Sequence, residues 1–225
     1  DAPCTIVLPE GANPVKAGSI TALGAKLVFH GDVVERSRER AEELAKDEGM
    51  RFVCVANEPA LIAGVGTYSL EIHDDLDRID VLIVPVGAGS GASGACIVTD
   101  AVSPSTRVIG VQSASAPAAF HAWRSGRFEV YPMSTTAEGL ATESAYPLTI
   151  GILREKLDEF LLVQDSEIAA AIKHYVHATR SLVEHAGAAS LAAAINIKAS
   201  LKGKRVVLVA SGGNLTTDQL KAVLT

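Results

Sequence analysis

The sequence has 225 residues, which is enough for one large α/β domain or two smaller ones with a substantial core. Its net charge is −6, and its scattered basic residues and 4% aromatic content exclude the basic stripe of a nucleic-acid-binding protein. No apolar stretch approaches the roughly 18 residues of a membrane span, and no signal-peptide pattern is present. Small-molecule chemistry is therefore the favoured class of function.

The three cysteines, Cys4, Cys54 and Cys96, lie in or beside apolar runs and show no C-x-x-C spacing. This usage predicts reduced, buried and inert thiols, as in a cytoplasmic enzyme. The sequence starts at Asp1 without Met and soon enters an apolar segment. From this start we expect the chain to be the interior of a longer protein.

Strands and helices are predicted to alternate along the chain. Strands are expected over residues 3–8, 27–29, 52–55, 80–85, 108–111, 160–163 and 205–210. Helices are expected to open at Pro14 after the N-cap Asn13, at a capping box of Asp32 and Glu35, at Pro59, after the glycine-rich turn that follows Pro85, near Pro117, at Pro147, after the cap Asp165, near Gly187 and at Thr216.

The alternation predicts an α/β fold with mostly parallel twisted sheets and helices on both faces. Two modules are expected: residues 1–60 as the remainder of a small βα domain and residues 61–225 as a large cofactor-binding domain. Residues 125–137 are predicted to form a long polar connection of the kind that often wraps a site.

The most informative stretch is Val81–Ala101, where an apolar strand leads through a glycine-rich turn into a helix. Glycines at 87, 89, 91 and 94 let successive backbone N–H groups converge on one anion, and the helix adds the positive end of its dipole. The turn therefore predicts a phosphate site. A turn that merely lets strand and helix pack closely is the alternative.

Two well-known nucleotide sites fit this turn poorly. Gly89-x-Gly91-x-x-Gly94 satisfies the dinucleotide pattern, but the next strand ends in Val111-Gln112-Ser113 without the carboxylate that holds ribose hydroxyls. A nucleotide P-loop would need Gly-Lys-Ser/Thr after the glycines, and that is missing.

Six segments taken together resemble the fold-type-II pyridoxal-phosphate enzymes, particularly the threonine/serine dehydratases, with serine racemase close by. The segments, in the order of that family's blocks, are Leu8–Val28, Glu58–Ile72, Val84–Gly94, Thr135–Thr142, Leu182–Ala193 and Ser211–Leu215. The resemblance implies a tryptophan synthase β-like fold and pyridoxal phosphate as cofactor.

The resemblance also implies roles for individual residues. Backbone N–H groups of the glycine loop would bind the cofactor phosphate, Gly139 would pass beside the cofactor ring, and the Ser211 hydroxyl would bind the pyridine nitrogen. The residues implied for the loop are Gly87, Ala88, Gly89, Ser90 and Gly91. Glu138 and Glu184 fall in matching blocks and are candidates only for neighbours of the site.

Two features of the family are expected to be missing from these residues. Some relatives bind a divalent cation through carboxylates, where this chain has Gln112, Ala116 and Ala118, so no metal is predicted. The Schiff-base lysine and the loop that grips the substrate carboxylate lie upstream of the matched blocks in the family. No catalytic residue is therefore assigned within this chain, and Lys16 is not promoted to that role.

The implied activity, in the full-length protein, is deamination of L-threonine or L-serine to a 2-oxo acid and ammonia. Serine racemase or a related amino-acid lyase is one alternative, and a catalytically inactive protein that binds a phosphate ligand or partner is another. The resemblance also implies a homodimer. Because the sequence ends soon after its last strand and a short helix, we expect the short, catabolic type of architecture. No nucleic-acid or membrane partner is expected.

Overall fold

The computed structural model describes residues 2–225. Its strands are β1 (Thr5–Leu8), β2 (Lys26–Phe29), β3 (Val81–Pro85), β4 (Arg107–Ser113), β5 (Glu159–Val163) and β6 (Val206–Leu208). Its helices are α1 (Pro14–Ala22), α2 (Val34–Asp47), α3 (Pro59–Asp75), α4 (Ser90–Val102), α5 (Ala118–Ser125), α6 (Pro147–Lys156), α7 (Asp165–His174), α8 (His185–Asn196) and α9 (Thr217–Leu224). Short 3₁₀ and π segments cover Glu138–Leu140 and Tyr175–Thr179.

The chain forms two compact units. One contains the described residues up to Cys54 together with Asn214–Thr225, and the other contains Val55–Gly213. The division after residue 60 that the sequence suggested stays a prediction about the protein's domains.

The first unit is built on β1 and β2, which pair in parallel. Asn13 caps α1 by accepting a hydrogen bond from the Val15 amide, and Pro14 occupies the first helical position, as the sequence predicted. The Asn13 side chain also donates to the Asn214 carbonyl at 2.8 Å, which ties the C-terminal segment to the start of α1.

The second unit is organised by a four-stranded parallel sheet in the order β5-β4-β3-β6. One group of helices, α3 to α6, packs together through α4 and α6, while α7 and α8 pack with each other and α8 covers the strands. Side chains of β3 such as Leu82 and Ile83 are fully buried, as expected for a strand covered on both faces. The predicted class, parallel sheets covered by helices, is confirmed.

Several local predictions are wrong. Residues 52–55 form no strand, and Val53 and Val55 are about half exposed rather than buried in a sheet. Helix α2 begins after Val33 without a side-chain cap, so the expected Asp32 and Glu35 capping box does not form. Asp165 is the first helical residue of α7 rather than its cap, a role taken by Gln164.

The cysteines also differ from one another. Cys96 is buried, and burial raises its pKa to about 12, so its thiol stays protonated and unreactive. Cys54 is half-buried and Cys4 is exposed, so the prediction of burial is wrong for Cys4. All three are free thiols.

Candidate functional site

The glycine loop lies between the buried end of β3 and the start of α4. Gly89 adopts φ +94°, a left-handed conformation that glycine tolerates better than other residues, and it immediately precedes the helix. Among the hydrogen bonds of residues 2–225, none uses the amide N–H of five consecutive residues, 87–91. A helix start with unbonded N–H groups is a binding site for an anion.

Side chains from two other helices hold this loop in place. The buried hydroxyl of Thr149 in α6 donates to the Ala88 carbonyl at 2.8 Å, and Ser93 donates to the Thr149 carbonyl at 3.4 Å. Tyr68 in α3 donates to the Gly91 carbonyl at 3.2 Å, and burial raises the pKa of its hydroxyl, which keeps the donated proton. These bonds fix the loop and the first turn of α4 to the helices packed around them.

A second segment approaches the loop backbone to backbone. A Cβ atom at Gly87 would overlap the carbonyl oxygen of Gly139, so only glycine permits this contact. Gly139 lies in the 3₁₀ segment Glu138–Leu140, which follows the long irregular connection between α5 and α6. The predicted polar connection is therefore observed, and it ends against the glycine loop.

The start of α8 joins this segment to the end of the last strand. A Cβ atom at Gly139 would lie 2.8 Å from Cβ of Ala186, and one at Gly212 would lie 2.6 Å from Oε1 of Glu184. The Glu184 amide also donates to the Gly212 carbonyl at 3.2 Å. The segments carrying Gly139 and Ser211 thus meet at the same turn of helix.

All seven residues that the sequence suggested for cofactor binding belong to this one unit. Gly89 is buried, four of its neighbours are half-buried, and the last two residues are exposed. The half-buried set is Gly87, Ala88, Ser90 and Gly91, and the exposed pair is Gly139 and Ser211. The glycine loop is the enclosed end of the site and Ser211 lies at its open end, while the roles of all seven stay predictions.

A neutral histidine lies at the junction of these segments. His185, the first residue of α8, is 7% exposed, and its pKa is lowered by burial, which outweighs the opposing effect of Asp165, Glu138 and Glu184. The sequence pattern predicted no role for His185, because a single histidine in an Ala-rich block has no recognisable spacing to other functional residues.

Other functional candidates have structural explanations. Gln112 is completely buried, and its side-chain oxygen accepts a hydrogen bond from the Phe120 amide at 3.0 Å in the first turn of α5. Over residues 2–225, no group of three His, Cys, Asp or Glu side chains is arranged to hold a metal ion. Throughout that range, each helix is too short or too polar to cross a membrane.

The geometry fits a ligand that carries a phosphate group. Unbonded amides supply phosphate donors at the enclosed end, and the backbone at Gly139 closes directly against Gly87. The Ser211 hydroxyl provides a neutral polar group at the open end.

Comparisons with known proteins agree with this chemistry. Residues 1–212 match the family described as pyridoxal-phosphate dependent enzymes. The chain is 35% identical over 223 residues to L-threonine ammonia-lyase of Thermotoga maritima, covering 99% of this chain and 55% of that protein. The chain therefore spans about half the length of that relative.

Solved structures give the same relationship. The processed form of threonine deaminase isoform 2 from Solanum lycopersicum is 28% identical with a TM-score of 0.91, over 99% of this chain and 66% of that one. Maize serine racemase is 25% identical with a TM-score of 0.89, over 99% of this chain and 69% of that one. Since the family match spans almost the whole sequence, the chain belongs to the pyridoxal-phosphate dependent enzyme family, which confirms the resemblance, its fold and its cofactor.

Proposed function

We propose that this chain holds pyridoxal phosphate in an enzyme that deaminates L-threonine or L-serine. The observation that carries the proposal is the row of five unbonded amides at the start of α4, enclosed by the backbone at Gly139, in a chain of this family. The similarity to an L-threonine ammonia-lyase supports the choice of substrate.

Different residues of the chain are assigned to different parts of the cofactor. The amides of residues 87–91 would bind the phosphate, whose charge would also interact favourably with the N-terminus of α4. The Gly139 backbone would hold the ring on one side, and the Ser211 hydroxyl would donate a hydrogen bond to the pyridine nitrogen. Glu138 and Glu184 remain neighbours of the site without an assigned chemical step.

Pyridoxal phosphate, when bound, supplies an electron sink for the charge that develops at the substrate α-carbon. A neutral hydroxyl at Ser211, unlike a carboxylate, does not hold the ring nitrogen protonated, so the sink is weaker. This suits elimination, because the departing β-hydroxyl carries the electrons away. Overall, threonine loses water and then regains it as ammonia leaves, which balances to 2-oxobutanoate and ammonia.

Within Val55–Gly213, each lysine lies near or beyond the C-terminal end of a helix, away from the glycine loop. Lys156 forms an ion pair with Asp100 at 2.6 Å, which raises the pKa of the amine, and α4 separates Asp100 from Ser90 by roughly 15 Å at about 1.5 Å per residue. Lys173 lies in the last turn of α7, and Lys198, Lys202 and Lys204 follow α8, far from the starts of both helices. This supports a Schiff-base lysine outside these residues.

The lysine assignment is testable by borohydride reduction after incubation of the chain with pyridoxal phosphate, followed by peptide mass spectrometry. We expect no stoichiometric pyridoxyl-lysine in the 225 residues. One fully labelled lysine among them would overturn the assignment.

We also infer that the whole enzyme is a cytoplasmic homodimer. The three free cysteines are compatible with a reducing compartment. Sedimentation of the protein tests the dimer, since a monomer at micromolar concentration would contradict it.

The activity is tested by assaying the complete protein that contains this chain. We expect 2-oxobutanoate from L-threonine and pyruvate from L-serine, each in a 1:1 ratio with ammonia. Formation of D-serine without keto acid would instead indicate a racemase. No turnover of either amino acid, with cofactor bound, would indicate a binding protein.

A further inference from the structure

The connection that ends at Gly139 is long and mostly exposed, yet one carboxylate fixes its last part. Residues 126–137 have no helix or strand, and most of them face solvent. Asp165, at the first position of α7, accepts hydrogen bonds from Thr135 Oγ1 at 2.9 Å and from the Thr136 amide at 2.7 Å. The Thr136 hydroxyl adds a weaker bond at 3.2 Å.

The same carboxylate is attached to the sheet. The buried hydroxyl of Ser113, at the end of β4, donates to Asp165 Oδ1 at 2.6 Å and accepts from the Ser115 amide at 3.0 Å. The backbone carbonyl of Ser115 in turn accepts a hydrogen bond from the Ser134 amide at 2.9 Å. Asp165 therefore joins a helix start, a strand end and the connection.

The charge of Asp165 matters to this arrangement. Burial by itself would raise the pKa of the carboxyl, but hydrogen bonds from Ser113, Thr136 and Thr135 outweigh it and hold the pKa below its ordinary value. Every contact is made by a donor, and the Thr136 amide cannot reverse its role. An asparagine would present an NH₂ group to at least one of these donors.

Thr135 connects Asp165 to the segment that carries Gly139. Its hydroxyl oxygen accepts from the Ala137 amide at 3.1 Å, and Ala137 directly precedes the 3₁₀ segment that carries Gly139. Ala137 and Leu140 are both buried, so this segment packs against the core next to the glycine loop.

We propose that Asp165 is a positioning residue for the cofactor site: by fixing Thr135 and Thr136, it holds the Gly139 backbone against Gly87 and so keeps the phosphate-binding loop closed. Asp165 acts through the connection and does not touch the cofactor. The proposal rests on the proposed function, because it concerns the same phosphate site.

The test compares Asp165→Asn with Asp158→Asn in the full protein. Asp158 is a matched control, because its carboxylate also accepts a backbone N–H, that of Val108 at 2.7 Å, but at the opposite end of β4. Thr135→Val is a milder second variant that removes one hydroxyl from the connection without disturbing the sheet.

Three measurements on each protein separate positioning from general damage. Amide hydrogen exchange of residues 134–140 in the apoprotein reports the anchoring. Calorimetric titration with pyridoxamine phosphate, which cannot form a Schiff base with lysine, reports affinity, and the ³¹P shift of the bound phosphate reports its surroundings.

In the Asp165→Asn variant, we expect the amide hydrogens of residues 134–140 to exchange at least tenfold faster than in the wild type. We also expect pyridoxamine phosphate to bind about tenfold more weakly and its ³¹P signal to shift. Thr135→Val should give intermediate values in all three measurements. Asp158→Asn should resemble the wild type in all three. Unchanged exchange, or unchanged affinity and ³¹P shift despite faster exchange, would overturn this proposal alone. A wild-type protein that fails to bind would overturn both it and the proposed cofactor site.

Discussion

The two ends of the candidate site are built differently. At the glycine loop, β3 is buried on both faces, and the side chains of Thr149, Ser93 and Tyr68 hold the loop and the helix that follows it. At the other end, β6 is a three-residue edge strand, and Ser211 beyond it is exposed. The phosphate end is thus shaped by contacts within these residues, whereas the Ser211 end is held mainly by backbone packing against α8.

This contrast predicts the largest loss for Gly87→Ala. The added methyl would overlap the Gly139 carbonyl, so two backbone segments would have to separate. We expect pyridoxamine phosphate to bind at least a hundredfold more weakly, measured by calorimetry. Gly151→Ala is the control, because a Cβ there meets nothing within 4 Å and the residue lies in α6.

An equal loss in both glycine variants would contradict the close approach as the cause. The control should if anything stabilise the protein, since alanine is favoured over glycine inside a helix by about 1 kcal/mol.

Thr149→Val should have the next largest effect. It keeps the shape but leaves the half-buried Ala88 carbonyl without its donor, which costs roughly 1 kcal/mol of stability. We expect about tenfold weaker cofactor binding, and Thr149→Ser should restore most of it. Chemical denaturation and calorimetry measure the two effects, and a serine variant as impaired as the valine variant would show that the methyl group, not the hydroxyl, matters.

Ser211→Ala sharpens the comparison from the open end. Because the side chain is exposed, the free energy of unfolding should change by less than about 0.5 kcal/mol, as for Ser105→Ala on another exposed turn. The absorption spectrum of the bound cofactor should nevertheless change, since the ring nitrogen loses its partner. Spectra identical to the wild type at saturating cofactor would argue against the assigned contact.

The smallest expected effect is the pH dependence of stability that comes from His185, which lies between the two ends of the site. Burial lowers the pKa of His185 in the folded protein, whereas an unfolded histidine titrates near about 6.5. Below that pH the unfolded chain binds a proton that the folded chain binds only at lower pH. Stability should therefore fall as pH drops from 7 toward 5.

The free energy of unfolding of the His185→Gln variant, measured with urea, should fall less steeply over this pH range than that of the wild type. A residual slope is expected from His73, whose pKa is also lowered by burial. Parallel curves for the variant and the wild type would show that His185 does not contribute.

Local patterns were sufficient for much of this molecule. The Asn13 cap with Pro14, the proline that opens α3, the strand of Val81–Pro85 and the glycines before α4 all depend on interactions between near neighbours in the chain. The order of motifs was sufficient for the family and its cofactor.

Tertiary structure decided the remainder, because those features depend on residues far apart in sequence. The apolar run at residues 52–55 forms no strand, because strand formation depends on pairing with a distant segment that no local pattern reveals. Thr149 reaches Ala88 across 61 positions, and Asp165 reaches Ser113 across 52. A threonine or an aspartate becomes part of a site only when folding brings a carbonyl or a hydroxyl within hydrogen-bonding distance, and the sequence alone does not encode that distance in any short pattern.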